Sequence, residues 1–435
     1  MKILKIKTTT SAYQMYQILR LISLVIISIL LVKLSFSREE TSVFELFLFI
    51  VNISTFFWTM GISNSILAYY PKLDNNLQKK FLFNIFFLLQ VTGLLIAATI
   101  FVSKGFGLIN SEILSNTSGL ILVYLYVFFY SPTLLIEINY ILNKQPDKLF
   151  WYGIIVFGLQ FLIISISAII FKDIYIVLES LTFWIIIRWI WTLKIIFNNT
   201  ANKKISIELI KVFIIFSAPV IIHILLGNGM EYIDGMIVNR FFDPGIFSIY
   251  RYGAREFPII LILIGALRST MLPEAVEDIT KATAKIKEQT SKIIKYFFPI
   301  AIILMLSSKY LYTFFYSEEY IYSALLFNIY LLIITSRIIM PEVFIYAQGM
   351  NNVFVKISLA EIITNIILSL ILIRFWGIAG IAFATFVTFM IFKLVLVFFV
   401  KSKIKIPPGK YLDMKLYFTY SFLLFLSFII SIRYI

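Results

Sequence analysis

Leu149–Phe171 reads LFWYGIIVFGLQFLIISISAIIF and contains no charged side chain. As a helix rising 1.5 Å per residue it extends roughly 34 Å, enough to cross the ~30 Å hydrocarbon core of a bilayer. Two residues later a second long apolar stretch begins, IYIVLESLTFWIIIRWIWTLKIIF, from Ile174 to Phe197, this one carrying Glu179, Arg188 and Lys194. Lipid offers no partner to backbone N–H and C=O groups, so a crossing segment must satisfy them internally, and both stretches are predicted helices. They are also far too long for the alternating strands of an outer-membrane barrel.

Outward from this pair, hydropathy places spans near 13–34, 43–70, 80–103, 118–142, 149–171, 174–197, 209–238, 247–271, 293–315, 321–347, 353–374, 377–400 and 416–434. The expected fold class is therefore an all-α integral membrane protein, with 12 core transmembrane helices plus one extra C-terminal transmembrane helix. Composition agrees. Of 435 residues, 60% are hydrophobic and only 14% charged, where a soluble domain is about half apolar and a quarter charged. A soluble enzyme is excluded. The absence of cysteine removes disulfides and thiolate chemistry, and one histidine cannot supply a typical zinc or haem site. No cofactor and no metal site are expected. The first apolar segment is too long for a signal-peptide core, lacks a small-residue cleavage pattern, and reads as a retained span.

Placing the N terminus in the cytoplasm assigns about 24 lysines and arginines to the inside and about 10 to the outside. The net charge of +15 then reflects membrane orientation and calls for no nucleic acid. The longest connection, PEAVEDITKATAKIKEQTSK from Pro273 to Lys292, carries acids early and lysines late. That order suits a surface helix aligned with its own dipole, and it reads as a cytoplasmic elbow joining spans eight and nine. No outer loop has room for a catalytic domain, which weakens any glycosyltransferase or polymerase assignment; the chain is expected not to be an enzyme.

A faint repeat links the halves at constant offset: Gly61 and Ser65 match Gly265 and Ser269, and Ile141 and Phe150 match Ile345 and Phe354. Six spans return the chain to its starting side, so the halves would be parallel repeats with a site between them at mid-depth. The expected domains are a six-helix lobe over 1–200, a second over 201–402, and a linker with the extra helix over 403–435.

An ionisable group within a span costs about 2.5–3.5 kcal/mol on insertion scales, so each must face a cavity, a partner or the interface. Arg188 lies about nine residues from its cytoplasmic end, roughly 13 Å, beyond easy snorkelling; Arg337 in span ten is as deep. Both are candidate lumen residues, with a structural ion pair as the alternative. Arg20 and Lys393 lie nearer the cytoplasmic ends, where snorkelling competes. Arg251 and Arg255, four apart, would share a face of span eight and could meet Glu231 and Asp234 on one face of span seven. They form either a salt-bridged outer gate or a static clamp. His223 follows Pro219 and precedes Gly227 and Gly229, where the helix would kink or break; it is a further candidate, against the commoner role of a satisfied core histidine. Glu361, about eight residues into span eleven, is a candidate cation site or counter-charge. Glu137 and Glu342 read as helix-packing or inner-gate groups. There is no Walker A loop, potassium-selectivity loop or arginine ladder, which leaves a transporter driven by a gradient or by membrane potential.

The segments FIIFSAPVIIHILLGNGMEYIDGMIVNRFF in span seven, IYRYGAREFPIILILIGALRSTMLPE in span eight, AQGMNNVFVK and RFWGIAGIAFAT (Arg374 to Thr385) resemble those of the Wzx-type lipid-linked oligosaccharide flippases. These belong to the multidrug/oligosaccharidyl-lipid/polysaccharide superfamily, and the resemblance extends from about Tyr13 to Lys401. It implies two six-helix lobes around a central cationic lumen, alternating access, and a site in the bacterial inner membrane. It implies as substrate an undecaprenyl-diphosphate-linked oligosaccharide, such as an O-antigen or other surface-polysaccharide repeat unit. The diphosphate carries about two negative charges, which guanidinium groups bind in bidentate fashion. Arg188, Arg337 and Arg20, with His223, would hold it; Arg251, Arg255, Glu231, Asp234 and Glu361 would gate or couple. Pro219, Pro258, Pro299 and Pro341 offer flexing points. The partners implied are membrane lipid, a coupling ion and other surface-polysaccharide assembly proteins. A cation-coupled multidrug exporter would need an acidic cavity, which mostly arginine charges do not make; a lipid II flippase is a close rival, and a membrane-embedded polymerase a distant one.

Overall fold

The computed structural model describes residues 8–105, 116–199, 204–255 and 258–435. Among the described residues the secondary structure is helical, with no strand. The helices are α1 (Thr9–Lys33), α2 (Arg38–Tyr69), α3 (Asn75–Gly105), α4 (Thr117–Leu142), α5 (Pro146–Phe171), α6 (Ile174–Asn199), α7 (Ile207–Phe241) and α8 (Pro244–Gly253). They continue as α9 (Pro258–Glu277), α10 (Ile279–Phe315), α11 (Ile321–Leu332), α12 (Ile334–Arg337), α13 (Glu342–Ala347), α14 (Asn351–Phe399) and α15 (Met414–Ile432). Among the described residues ten helices are long and apolar enough to cross a membrane, and α14 is long enough for two crossings, its backbone turning at Gly377 (φ 56°, ψ −137°). The chain is an all-α integral membrane protein.

The stretch that opens at Leu149 is α5. It ends at Lys172, which takes a left-handed conformation (φ 48°), and Asp173 caps the next helix by accepting from the Tyr175 amide at 2.7 Å. Between α1 and α2, Ser37 and Glu40 form a reciprocal capping box. Hydroxyls inside the helices return to carbonyls of their own preceding turn, as Thr55 does to Val51 at 2.7 Å and Thr182 to Leu178 at 2.8 Å. Large apolar side chains such as Ile170, Ile215, Phe314 and Phe398 remain exposed, the pattern of surfaces that face acyl chains rather than water.

The chain divides into two compact units, one comprising 1–228 with 242–248, the other 229–241 with 249–435. The lobe boundary expected at 200/201 lies outside the described residues. In the first unit α1 packs along α5, and α4 against α3 and α6. One core joins Ile62, Phe81, Ile85, Leu135, Ile196 and Phe213; another surrounds Tyr16, Tyr152, Leu149 and Trp184. In the second unit α10 packs along α9, α11 and α15. Asn328 of α11 fastens the terminal helix, its amide donating to Ser308 on α10 at 2.9 Å and to Ser431 on α15 at 3.0 Å.

Three expectations need correction. The Pro273–Lys292 elbow is not a separate surface helix: α9 runs through Pro273 to Glu277, and only Asp278 interrupts the helices, capping α10 through the Thr280 and Lys281 amides. Span eight is not one helix, since α8 stops at Gly253 and α9 starts at Pro258, a residue suited to a first helical turn. Span ten is in three pieces, broken ahead of Pro341, because the residue before a proline is driven from the helical region. By contrast α7 is continuous through Pro219, so no break occurs beside His223.

The α14 turn gives a direct test. At φ 56°, ψ −137° a Cβ is strained by about 1–3 kcal/mol, whereas Gly158 in α5 has open space where its Cβ would stand. Thermal unfolding of purified protein should show Gly377→Ala clearly destabilised and Gly158→Ala unchanged or slightly stabilised.

Candidate functional site

Within the first unit, α1, α4 and α6 bring Arg20, Glu137 and Arg188 into one cluster. The stripe Tyr13, Tyr16, Arg20 follows one face of α1, and Tyr126, Tyr130, Glu137 one face of α4. Arg20 donates from Nη2 to the Tyr130 hydroxyl at 2.8 Å. Arg188, 6% exposed, donates from Nη2 to the Tyr152 hydroxyl at 3.4 Å, and its buried Nε meets no hydrogen-bond partner. Tyr16 stacks on Tyr152 with ring centroids 5.9 Å apart. The close approach of α1 to α5 depends on Gly153, where a Cβ would press on the Tyr16 ring at 3.1 Å. Tyr126 stacks on Tyr130 at 5.6 Å. Glu137 lies within electrostatic range of the Tyr16 hydroxyl and of both guanidinium groups. Two cations thus share one carboxylate among phenols, a site with positive surplus suited to an anion.

Within the second unit the charges are more fully matched. Glu342 is buried and accepts from Arg268 at 2.6 Å and from Lys393 at 3.0 Å, joining α9, α13 and α14. Arg337 ends the single turn of α12, its guanidinium 4.2 Å from the centre of the Phe389 ring, a cation–π arrangement. Glu361 on α14 lies in the electrostatic field of Lys393 and Arg337. Elsewhere in this unit Asp234 is fully buried, and one of its oxygens accepts from Thr385 and from Tyr330. Asn365 in turn donates to Thr385 at 3.0 Å, and Tyr330 shares a bond with Tyr250 at 3.2 Å.

The expected gate is placed differently from its helical-face reading. Arg251 belongs to the last turn of α8, but Arg255 lies beyond the helix end, its Nε donating to the Arg251 carbonyl at 3.0 Å. The two therefore do not share a helix face. The side chains of Glu231 and His223 lie outside those described. Sequence reading missed the phenols that receive the arginines, and it took Glu137 and Glu342 one at a time. Only the tyrosine stripes of α1 and α4 signalled the grouping.

No family model matches this chain, and no curated protein matches it. Solved structures do. A lipid II flippase MurJ in an inward closed conformation is 18% identical, covering 96% of this chain and 95% of its own at a TM-score of 0.69. An inward-facing multidrug resistance MATE family transporter of the MOP superfamily is 13% identical over 93% and 96%, with a TM-score of 0.61. A MOP-superfamily transporter from Pyrococcus furiosus, described by a reverse polarity of its binding pocket, is 11% identical over 91% and 94%, with a TM-score of 0.57. The chain has the fold of the MOP-superfamily transporters, flippases and exporters among them.

The Glu342 bridge carries a stability prediction. Removing its charge leaves two cations facing each other, and breaking a buried pair costs about 3–5 kcal/mol; Arg268 is partly exposed, so the lower end applies. Glu342→Gln should lower the unfolding temperature strongly, and the double change Glu342→Gln with Lys393→Met should restore part of the loss. A single change that melts like wild type contradicts the bridge.

Proposed function

We propose that this chain is a flippase that moves an undecaprenyl-diphosphate-linked oligosaccharide across the bacterial cytoplasmic membrane by alternating access, with its N terminus in the cytoplasm. One observation carries the reading: Arg20 and Arg188 converge within one unit on a phenol-lined site with a single carboxylate. Such a site favours a diphosphate, because guanidinium forks match phosphate oxygens and retain their charge at any physiological pH. It disfavours the cationic substrates of a drug exporter by like-charge repulsion. Arg337 and His223 are proposed as further substrate-binding residues. Arg251, Arg255 and Glu231 are assigned to gating. The polyprenyl chain stays in lipid, and the substrate's assembly proteins are the expected partners.

Deletion of the chromosomal gene, with variants supplied on a plasmid, tests the assignment through surface glycan. Arg188→Gln should reduce it at least tenfold at unchanged protein level, and Arg188→Lys should give partial export, since the ammonium keeps charge but loses the fork. Undiminished glycan with Arg188→Gln and Arg20→Gln rules the assignment out.

The same site would also suit a lipid II flippase, a reading supported by the full-length likeness to MurJ. Rescue of a strain depleted of its lipid II flippase, without any effect on surface glycan, selects that alternative.

For coupling we propose Asp234, a carboxylate buried among hydroxyl and amide groups, with Glu361 as a second acid. In proteoliposomes Asp234→Asn should remove the response of substrate flux to an imposed sodium or proton gradient while leaving substrate binding intact. An unchanged response counts against it.

A further inference from the structure

Resting on the reading of the Arg20–Arg188 cluster as a diphosphate site, we propose that Gln90 on α3 is a positioning residue for it. Without touching substrate, its amide holds α4 and α6 at the rotation that aims Arg188 and keeps Tyr130 beside Arg20.

The need for such a group begins at Pro132, inside α4. Any other helical residue at 132 would donate its N–H to the Phe128 carbonyl; proline has none, and its ring crowds that carbonyl. Acyl chains supply no replacement donor, so the freed oxygen must be met from within the protein. Gln90 meets it, its Nε2 donating to the Phe128 carbonyl at 3.1 Å. Gly93, three residues on and on the same face of α3, permits the approach, since a Cβ there would stand 3.3 Å from the Phe128 Cα and carbonyl oxygen. The other end of the amide is also engaged: Oε1 accepts from the Trp189 indole N–H at 2.8 Å. An indole can only donate and a backbone carbonyl only accept. Between them a primary amide supplies one acceptor and one donor, and a single side chain links α3, α4 and α6.

What the link fixes is rotation. Trp189 is further enclosed by the Phe129 ring of α4, edge-on at 5.0 Å, and by the Phe86 ring of α3 at 6.4 Å. Consecutive helical residues point about 100° apart. Anchoring Trp189 against α3 and α4 therefore turns its neighbour Arg188 toward α5, where Nη2 donates to Tyr152. Phe128 in turn lies two residues before Tyr130, the acceptor of Arg20. The Gln90 amide thus bonds to the residue beside one arginine and to the turn that carries the partner of the other. Bidentate bonding to phosphate oxygens depends on the angle of the guanidinium fork, and a small rotation of α6 would misalign it.

Binding of farnesyl diphosphate to purified protein in nanodiscs, followed by calorimetry, tests this. Gln90→Met, similar in length and without either polar atom, should bind about tenfold more weakly. Trp189→Phe, which keeps a ring and loses the donor, should weaken binding in the same direction. Coupling separates positioning from a general loss of structure. Arg188→Lys removes the fork and should cost wild type about tenfold, but in Gln90→Met, where the fork is already misaligned, it should cost less than about threefold. Additive losses place the effect of Gln90 outside Arg188 and overturn the proposal, as does wild-type affinity in Gln90→Met or Trp189→Phe while Arg188→Gln and Arg20→Gln bind poorly. Unchanged affinity in both of those arginine variants overturns the reading of the cluster itself. Should Gln90→Met not fold, Trp189→Phe takes its place in the same cycle with Arg188→Lys and is judged by the same outcomes.

Discussion

A guanidinium group among membrane helices must find polar partners inside the protein, because the surrounding acyl chains supply none. Much of the first unit is arranged around that requirement. Arg188 reaches Tyr152 on α5 and Arg20 reaches Tyr130 on α4, so the two arginines tie α6 to α5 and α1 to α4. The tyrosine hydroxyls serve where carboxylates would have neutralised the charge outright. The rings meanwhile pack as apolar bodies, Tyr16 on Tyr152 and Tyr126 on Tyr130. A phenol offers one polar tip on a large apolar surface, which allows a buried cation to be solvated without adding a second charge.

Helix breaks are governed by a more local constraint. Pro132, Pro219, Pro273 and Pro299 lie inside continuous helices, while Pro258 and Pro341 mark where helices begin. An interior proline loses one backbone bond and is tolerated in packed membrane helices when nearby groups satisfy the freed carbonyl. At a first turn it loses nothing, since that N–H has no partner within the helix. Gly377 acts through a different property: it admits a backbone conformation closed to other residues, and the two arms of α14 then meet, as the Asn365–Thr385 bond records.

These differences explain what the sequence disclosed. The helical membrane class follows from the long apolar stretches, because hydropathy and backbone satisfaction are properties of consecutive residues; the thirteen expected spans compare with ten candidate helices among the described residues. The end of α8 at Gly253 and the break at 338–341 were not legible, since a hydropathy window averages over them and the prolines nearby resemble those that break nothing. Depth along a span singled out Arg20, Arg188 and Arg337 from their distance to the helix ends. Their partners escaped, because Arg20 and Tyr130 are 110 residues apart in the chain and Arg188 and Tyr152 are 36 apart. Arg251 and Arg255 failed as a helical pair for the same reason as span eight: a spacing of four defines a face only while the helix lasts.

The two charge clusters, each taken within its own unit, differ in a way that bears on exchange. Glu342 is gripped by Arg268 and Lys393 at contact distance, and breaking such a pair costs about 3–5 kcal/mol, which a bound ligand would have to supply before any net affinity appeared. Arg20 and Arg188 instead bond to neutral hydroxyls, each worth about 1.5–3 kcal/mol as a bond to a charged group. A phosphate oxygen can replace such a bond with a stronger, charge-assisted one. The weaker internal partnership is therefore the one able to yield to an anion. The Glu342 bridge, with a charged group on each of three helices, is better suited to hold α9, α13 and α14 together.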